Sequence, residues 1–316
     1  MTPSRGTPEG VGPAGTLAYD SRRVRRLALT AVLLFATASR GAAASGAARD
    51  ERILLSSPLI PDPVPVRLCL PPGFDSAPPG SLPLLVFLHD GYGSERSFSR
   101  KGLDRILADA IARGDVPPMV VASPGTLGTY NSNDYLGRRR TFDFLADALV
   151  PDLLARYPQL RRDRAGRGLT GISLGGYGAL KIALRRPERF GAVSALSTWV
   201  EDLSFEFQQE QGIFGRWTMG RVFGKTAETS VIRGESLFVI LEALEAPPGA
   251  FPPLLLVTGD RDPWSRNGNH QRLESALVSA GISFEAMRRP GAHDWSFWRS
   301  VFCEILEFHA RRFREK

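Results

Sequence analysis

The sequence predicts an α/β domain with a mostly parallel central sheet flanked by helices. After residue 50, short apolar runs alternate with segments of helical periodicity, which is the pattern of repeated βαβ units. Several of the apolar runs are continuous, as expected for strands that are buried on both faces. The 316-residue chain is 43% hydrophobic and 23% charged, which is an ordinary globular composition.

The predicted elements follow one another closely along the chain. An early strand ends at a Pro-Pro-Gly sequence, and the first continuous apolar strand follows it. The predicted strands cover residues 64–70, 84–88, 119–122, 169–172, 192–196, 254–257 and 283–287. The predicted helices cover residues 142–157, 174–184, 273–280 and 295–313.

One internal segment, residues 199–252, does not continue this alternation. It is rich in large apolar side chains, which favours either a helical excursion with its own small core or a cap over the active site. The two interpretations are compatible. We expect a cap insertion here, within a single domain that covers residues 49–316.

The first 48 residues have the composition of a signal peptide and leader. A cluster of four arginines precedes an apolar run over residues 27–37, and three alanines follow at 42–44. A basic region, a short apolar region and an A-x-A site predict secretion and cleavage. The run is too short to span a bilayer, so we expect an exported, periplasmic or extracellular protein without stable membrane insertion. The alternatives are a disordered basic extension or a start codon assigned too early.

The charge and the cysteines exclude several classes of protein. Six arginines and only two carboxylates lie within residues 1–44, so most of the formal charge of +7 belongs to the leader and no nucleic-acid partner is indicated. Cys69 and Cys303 are too few for a usual metal site or a disulfide framework, and two separate thiols are favoured over a pair. We expect no metal and no cofactor.

Residues 171–175 carry the clearest chemical signal. They read Gly-Ile-Ser-Leu-Gly, a G-x-S-x-G pattern between a predicted strand and a predicted helix. A sharp strand-to-helix turn needs small neighbours, and it lifts the hydroxyl of Ser173 above the sheet at a helix N-terminus. This is the nucleophile turn of the α/β-hydrolase fold, so Ser173 is the candidate nucleophile.

A serine hydroxyl needs a base, and the chain has four histidines. In this fold the acid and then the histidine follow the serine along the chain, which excludes His89. His309 lies in the last amphipathic helix, and no later strand supports His270. His293 follows the last predicted strand in a Pro-Gly loop, so it is the candidate base.

The acid is expected after the strand at residues 254–257. Asp260 and Asp262 both qualify, and one could orient the imidazole while the other caps the turn. Asp294 adjoins His293 in sequence, and a sequence neighbour rarely points at the ring nitrogen that needs orienting.

The oxyanion hole requires two backbone N–H groups. One is expected from Leu174, directly after the nucleophile. The second is expected from the turn after the strand at residues 84–88, where two glycines flank Tyr92. We assign the second N–H to Tyr92, and the alternative is a tight turn without this role.

Taken together, these residues resemble the esterase D-type branch of the α/β-hydrolases. That branch includes S-formylglutathione hydrolases, feruloyl and acetyl-xylan esterases, enterochelin esterases and the mycolyltransferase antigens. Four segments carry the resemblance: VRLCLPPGF at 66–74 resembles "LPPGY", GISLGGYGAL at 171–180 resembles "GxSMGGYGAL", RPERF at 186–190 resembles "HPxxF", and residues 291–298 resemble "GxHxWxxW".

The resemblance implies a triad of Ser173, Asp262 and His293, with oxyanion N–H groups from Leu174 and Tyr92. The position of Asp262 agrees with this triad, because the acid must reach a histidine on the neighbouring strand's loop, which favours a residue beyond Asp260.

Two features depart from the family: Asp90 stands where most of these esterases have His, and residues 199–250 match no family pattern. The resemblance therefore supports the reaction type better than the substrate.

The expected function is hydrolysis of a carboxylic ester, in a small molecule or linked to a polysaccharide, through an acyl-serine intermediate. Two alternatives stay open. An acyltransferase would resolve the same acyl-enzyme with a sugar or lipid alcohol. A non-catalytic surface- or carbohydrate-binding protein on the same scaffold is disfavoured by the complete Ser, Asp and His set.

Overall fold

The computed structural model describes residues 48–126, 128–245 and 247–314. The leader and signal peptide predicted over residues 1–48 therefore lie almost wholly outside the described residues. Within the described part, eight strands form one sheet in the order β1-β2-β4-β3-β5-β6-β7-β8. The strands are β1 Arg49–Ser57, β2 Ile60–Leu70, β3 Leu84–Leu88, β4 Val120–Pro124, β5 Arg167–Ile172, β6 Ala192–Leu196, β7 Leu254–Gly259 and β8 Phe284–Arg289.

Strand β2 is antiparallel to both of its neighbours, and strands β3 to β8 are parallel to one another. This confirms the predicted α/β class with a mostly parallel sheet. The helices are α1 Ser97–Arg100, α2 Leu103–Arg113, α3 Thr141–Asp143, α4 Leu149–Arg156, α5 Leu174–Arg185, α6 Phe205–Glu210, α7 Ile213–Phe223, α8 Leu237–Glu242, α9 Pro263–Arg266, α10 Asn269–Ser279, α11 Trp295–Ser300 and α12 Phe302–Arg314.

Hydrophobic residues cover both faces of the sheet, which explains the continuous apolar runs. In β3, Leu84, Val86 and Leu88 face one core, with α4, α5, α8 and α10. Leu85 and Phe87 of the same strand face the other core, with α2, α11 and α12. Because successive strand residues point to opposite faces, a strand between two cores must be apolar throughout.

Three details differ from the sequence prediction. The sequence pattern does not predict strand β1, because six of its nine residues are polar. The strand lies at the sheet edge and pairs with β2. The helix predicted over 142–157 is split by a π-helical segment, Phe144–Ala148, just before Pro151. Proline lacks the N–H and crowds the preceding turn, so it disturbs the regular ladder there. The closing helix breaks at Val301, whose φ of −108° and ψ of 3° are not helical.

The segment predicted as an insertion contains three helices, α6, α7 and α8, and two short 3₁₀ turns, Ile232–Glu235 and Pro248–Ala250. A buried ion pair attaches it to α5: the ammonium of Lys181 lies 2.6 Å from Glu235, whose other oxygen lies 2.9 Å from Arg185. Lys181 also donates to Ser132 Oγ at 2.5 Å. Whether the segment covers the active site as a cap stays a prediction.

Cys69 and Cys303 are both free thiols, in agreement with the expectation of two separate cysteines. None of the described helices has both the length and the apolar character needed to cross a membrane.

Candidate active site

The candidate site lies at the carboxyl ends of the parallel strands. Ser173 follows β5, Tyr92 lies in the turn after β3, Asp262 lies after β7, and His293 follows β8. Parallel strands end at the same edge of a sheet, and this edge is where open α/β folds bind ligands. The fold therefore brings together residues that are up to 201 positions apart in the sequence.

The turn at Ser173 has a strained backbone. Ser173 has a φ of 56° and a ψ of −114°, outside the regions that L-residues usually adopt. The turn is also crowded: a Cβ on Gly171 would lie 2.1 Å from the carbonyl oxygen of Gly175, and a Cβ on Gly175 would lie 2.0 Å from that of Leu88. Only glycine fits at either position, which explains the two glycines that flank the serine.

Ser173, His293 and Asp262 form a continuous hydrogen-bonded chain. His293 Nε2 lies 2.9 Å from Ser173 Oγ, and His293 Nδ1 lies 2.8 Å from Asp262 Oδ2. A carboxylate accepts only, so Nδ1 carries the proton and Nε2 is the acceptor for the serine hydroxyl. The imidazole is thus held in the tautomer that can remove a proton from Ser173.

Asp262 is fully buried and uses both oxygens. Its Oδ1 accepts the backbone N–H of Trp264 at 3.1 Å, which caps α9. Burial alone would raise the pKa of Asp262, but the hydrogen bond and charge of His293 outweigh burial and lower the pKa below its usual value. The carboxylate is therefore ionised at neutral pH.

Asp260, the other acid that the sequence left open, has a different position. It is exposed, and its Oδ1 accepts the backbone N–H of Gly291 at 2.9 Å. Arg261 N–H also donates to the carbonyl of Gly291 at 2.8 Å. Asp260 thus links the loop that carries His293 to the end of β7 by a hydrogen bond, whereas the imidazole bonds to Asp262. Asp294, the third candidate, accepts the N–H of Phe297 as the N-cap of α11.

Two indole rings pack against the imidazole of His293. The ring centroid of Trp264 lies 4.8 Å from that of His293, and the centroid of Trp298 lies 5.0 Å away. Trp264 Nε1 in turn donates to Glu201 at 2.5 Å. The sequence analysis assigned no role to Trp264 or Glu201, because nothing in the local pattern places them beside residue 293.

The segments that carry Leu174 and Tyr92 face each other. A Cβ on Gly91 would lie 3.6 Å from the side chain of Leu174, so the turn after β3 packs directly against the start of α5. Leu174 is the first residue of α5, where backbone N–H groups have no partner inside the helix. The side chain of Tyr92 is fully exposed.

An aromatic cluster is joined to the nucleophile turn through the backbone of Trp199. The backbone N–H of Trp199 donates to the carbonyl of Ser173 at 3.1 Å. The indole of Trp199 lies 5.3 Å from the ring of Tyr177 and 6.1 Å from that of Tyr130. Asn131 donates to the carbonyl of Leu174 at 3.0 Å. Sequence reasoning missed Tyr130 and Asn131, which come from the loop after β4.

The described residues contain one group that could in principle ligate a metal, formed by Asp115, Cys303 and Glu307. Arg113 lies against it, 2.7 Å from Asp115 and 3.8 Å from Cys303. A guanidinium in that position competes with a cation for the same atoms. None of these residues belongs to the candidate active site.

Curated proteins of similar sequence include two esterases. The chain is 29% identical over 245 residues to the iron(III) salmochelin esterase of Escherichia coli O6:H1, a match that covers 76% of this chain and 52% of that protein. It is 22% identical over 174 residues to the acetyl esterase of Caldicellulosiruptor saccharolyticus, covering 54% of this chain and 63% of that protein. The chain thus spans less than two thirds of the length of either relative.

Solved structures of esterases share the fold. A ferulic acid esterase superimposes with a TM-score of 0.70 at 20% identity, covering 85% of this chain and all of that one. The S-formylglutathione hydrolase FrmB of Staphylococcus aureus gives 0.65 at 19% identity, covering 83% and 99%. The family model described as "Putative esterase" matches residues 57–309. Because that match covers most of the chain, the protein belongs to this esterase family.

Proposed function

We propose that the protein is a serine carboxylic-ester hydrolase, with Ser173 as nucleophile, His293 as general base and acid, and Asp262 as the residue that orients His293. The observation that supports this most directly is the hydrogen-bonded chain from Ser173 Oγ through the imidazole to the buried carboxylate. Membership of an esterase family is independent support for the reaction class.

In the first half of the reaction, Ser173 Oγ attacks the ester carbonyl carbon while its proton passes to His293 Nε2. The negative charge that develops on the carbonyl oxygen is stabilised by the backbone N–H groups of Leu174 and Tyr92. Collapse of the tetrahedral intermediate breaks the bond to the alkoxy oxygen, which takes the proton from His293 and leaves as the alcohol. An acyl-serine remains.

In the second half, water attacks the acyl carbon and gives a proton to His293 Nε2. Collapse of this second intermediate releases the carboxylic acid, and the proton returns to Ser173 Oγ. Asp262 stays ionised throughout and stabilises the imidazolium that forms in each half. No step requires a metal or a cofactor.

The relatives suggest substrates to test. Their names point to an iron(III) salmochelin, to acetyl esters and to ferulic acid esters. We propose an ester with an aromatic or small acyl group, because ferulic acid and acetate are the acyl groups that the names of the relatives contain. A panel of aryl, acetyl, feruloyl and salmochelin esters, assayed with wild type and Ser173→Ala, tests this. Turnover of every ester by Ser173→Ala at the wild-type rate would contradict the proposal.

An acyltransferase is the second candidate, since an alcohol acceptor can replace water in the second half. Product analysis with and without an added sugar or lipid alcohol separates the two functions. We expect the free acid as the main product in both cases. A dominant transferred ester in the presence of the alcohol would favour the transferase.

We also infer that the protein is exported. The basic cluster and the apolar run of residues 27–37 support this inference, together with the alanines at 42–44. N-terminal sequencing of the protein from its native host should give a start between about residues 43 and 50. An intact first residue on cytoplasmic protein would contradict export.

A further inference from the structure

An unusual apolar surface lies on helix α7 of the insertion. Ile213, Phe214 and Trp217 are 81%, 75% and 56% exposed, and the rings of Phe214 and Trp217 lie 6.1 Å apart. Residues at i, i+1 and i+4 of a helix lie on one face. Isolated exposed apolar residues need no explanation, but three large ones on one short helix face usually mark a binding surface.

The opposite face of α7 is firmly packed. Met219, Val222 and Phe223 are buried in the core on that side of the sheet. Thr218 Oγ1 also makes a 2.9 Å hydrogen bond with the hydroxyl of Tyr130. The helix is therefore anchored through its buried face, and its exposed apolar face is held outward.

The exposed face of α7 is also cationic. Arg216 and Arg221 are exposed, and the helix contains no aspartate or glutamate. The guanidinium of Arg221 lies 4.8 Å from the centroid of Trp217. Within residues 48–126, 128–245 and 247–314, neither arginine forms an ion pair with a carboxylate. We call Ile213, Phe214, Arg216, Trp217 and Arg221 the α7 surface.

Helix α7 is linked through its packed face to the turn that carries Ser173. Tyr130, which bonds to Thr218 of α7, packs against Trp199, and the N–H of Trp199 donates to the carbonyl of Ser173. Contacts through Tyr130 and Trp199 therefore link the packed face of α7 to the backbone of the nucleophile turn.

We propose that the α7 surface docks the protein onto an anionic lipid surface. Aliphatic and aromatic side chains beside unpaired arginines are typical of helices that lie in the plane of a membrane interface. A second copy fits less well, because a symmetric contact would bring the arginines of one α7 against those of the other. Residues 1–47 fit less well for the same reason, since they carry six arginines against two carboxylates.

The binding test uses the full chain with sucrose-loaded vesicles of phosphatidylcholine alone or of equal parts phosphatidylcholine and phosphatidylglycerol. We expect the wild type to sediment with the anionic vesicles and to bind the neutral ones much more weakly. Replacing both aromatic residues (Phe214→Ala with Trp217→Ala) should lower the partition coefficient on the order of tenfold or more. Arg216→Gln with Arg221→Gln should remove the preference for the anionic vesicles.

A matched control is Val278→Ala, because Val278 is 66% exposed on α10, outside the α7 surface. This variant should bind like the wild type.

Tryptophan fluorescence gives a second readout, since residues 1–47 contain no tryptophan and cannot contribute to it. We expect a blue shift on anionic vesicles that Trp217→Phe largely removes. Equal binding and equal shifts in wild type and all α7 variants would overturn the proposal.

The catalytic consequence rests on the proposed function, but vesicle binding does not. Ser173→Ala should bind vesicles as the wild type does, even if the proposed esterase activity proves wrong. With an active enzyme, the α7 variants should hydrolyse a dissolved short-chain ester normally and a vesicle-embedded ester on the order of tenfold more slowly.

A raised KM for the dissolved ester would instead make the α7 surface a substrate subsite. A wild-type dimer that the α7 variants convert to monomer would make it a contact between copies. Either result would overturn the proposal.

Discussion

His89 Nδ1 lies 2.7 Å from the carbonyl oxygen of its neighbour Asp90, and the same carbonyl accepts the N–H of Gly93 at 2.9 Å. Because a carbonyl only accepts, Nδ1 carries the proton, and Nε2 accepts from the N–H and hydroxyl of Thr126 at 3.4 and 3.2 Å. Burial lowers the pKa of His89, against the opposing effect of Asp90, so the ring is neutral. The ring of His89 thus links the turn that carries Tyr92 to the loop after β4 by hydrogen bonds.

We predict that His89 is a positioning residue for this turn. His89→Ala should lower kcat about 10- to 100-fold with little change in KM, because a displaced oxyanion donor affects the transition state more than ground-state binding. His89→Asn keeps a donor near the Nδ1 position and should recover part of the loss. Steady-state kinetics with a soluble ester measures this.

Thermal unfolding of both His89 variants serves as the control for folding. A general loss of stability alone would lower the amount of active enzyme equally for the two variants. Wild-type kcat in His89→Ala, or an effect confined to KM, would contradict a role in fixing the oxyanion turn.

The second prediction concerns covalent labelling of the nucleophile. A fluorophosphonate should label wild-type protein at Ser173, and Ser173→Ala should abolish the adduct, because among the described residues only this hydroxyl lies within hydrogen-bonding distance of His293. Mass spectrometry of tryptic peptides locates the adduct. Ser197 is a useful control, since it is also buried with a positive φ of 47° and follows the neighbouring strand. An adduct on Ser197 or any other serine would remove Ser173 from its proposed role.

The third prediction concerns the buried ion pair between the insertion and α5. Burial opposes the shift, but the charges of Lys181 and Arg185 lower the pKa of Glu235 from 4.5 to about 2. Glu235→Gln leaves the ammonium of Lys181 without its counter-charge and should cost about 3–5 kcal/mol in the free energy of unfolding. Glu210→Gln, an exposed change in the same insertion, should cost almost nothing.

The pH dependence of this effect follows from the direction of the shift. A carboxylate whose pKa is lower in the folded state stabilises the protein at pH values above its pKa in the unfolded state. This stabilisation is lost as the pH falls through the pKa of the folded state. The difference in stability between wild type and Glu235→Gln should therefore shrink between pH 4.5 and about 2. Urea titrations over that range measure it. A constant difference would show that the carboxylate charge does not stabilise the insertion.

The sequence predicted seven of the eight described strands and the nucleophile turn, because local physical constraints leave a visible pattern. Strands between two cores must be apolar throughout, and the crowded turn at Ser173 tolerates only glycine at residues 171 and 175. The indole ring of Trp264 beside His293 and the carboxylate of Glu235 beside Lys181 leave no such pattern. They are contacts between residues far apart in the chain, which only the folded structure brings together.

The last prediction separates the two acids that follow β7. Asp262 is buried and contacts His293 Nδ1 at 2.8 Å, whereas Asp260 is exposed and accepts the N–H of Gly291. Asp262→Asn should therefore lower kcat on the order of 10⁴-fold, as for the triad aspartate of a serine protease. The imidazole would no longer be held in the required tautomer, and the imidazolium would lose the negative charge that stabilises it.

Asp260→Asn keeps an oxygen that can accept from Gly291, so it should change kcat little. Asp260→Ala removes that acceptor and should cost about 1 kcal/mol of stability through the loop that carries His293, with a small effect on turnover. All three variants are compared on one ester, with unfolding measured in parallel. A larger loss of kcat in Asp260→Asn than in Asp262→Asn would transfer the orienting role to Asp260. It would also mean that the imidazole turns toward Asp260 when substrate is bound.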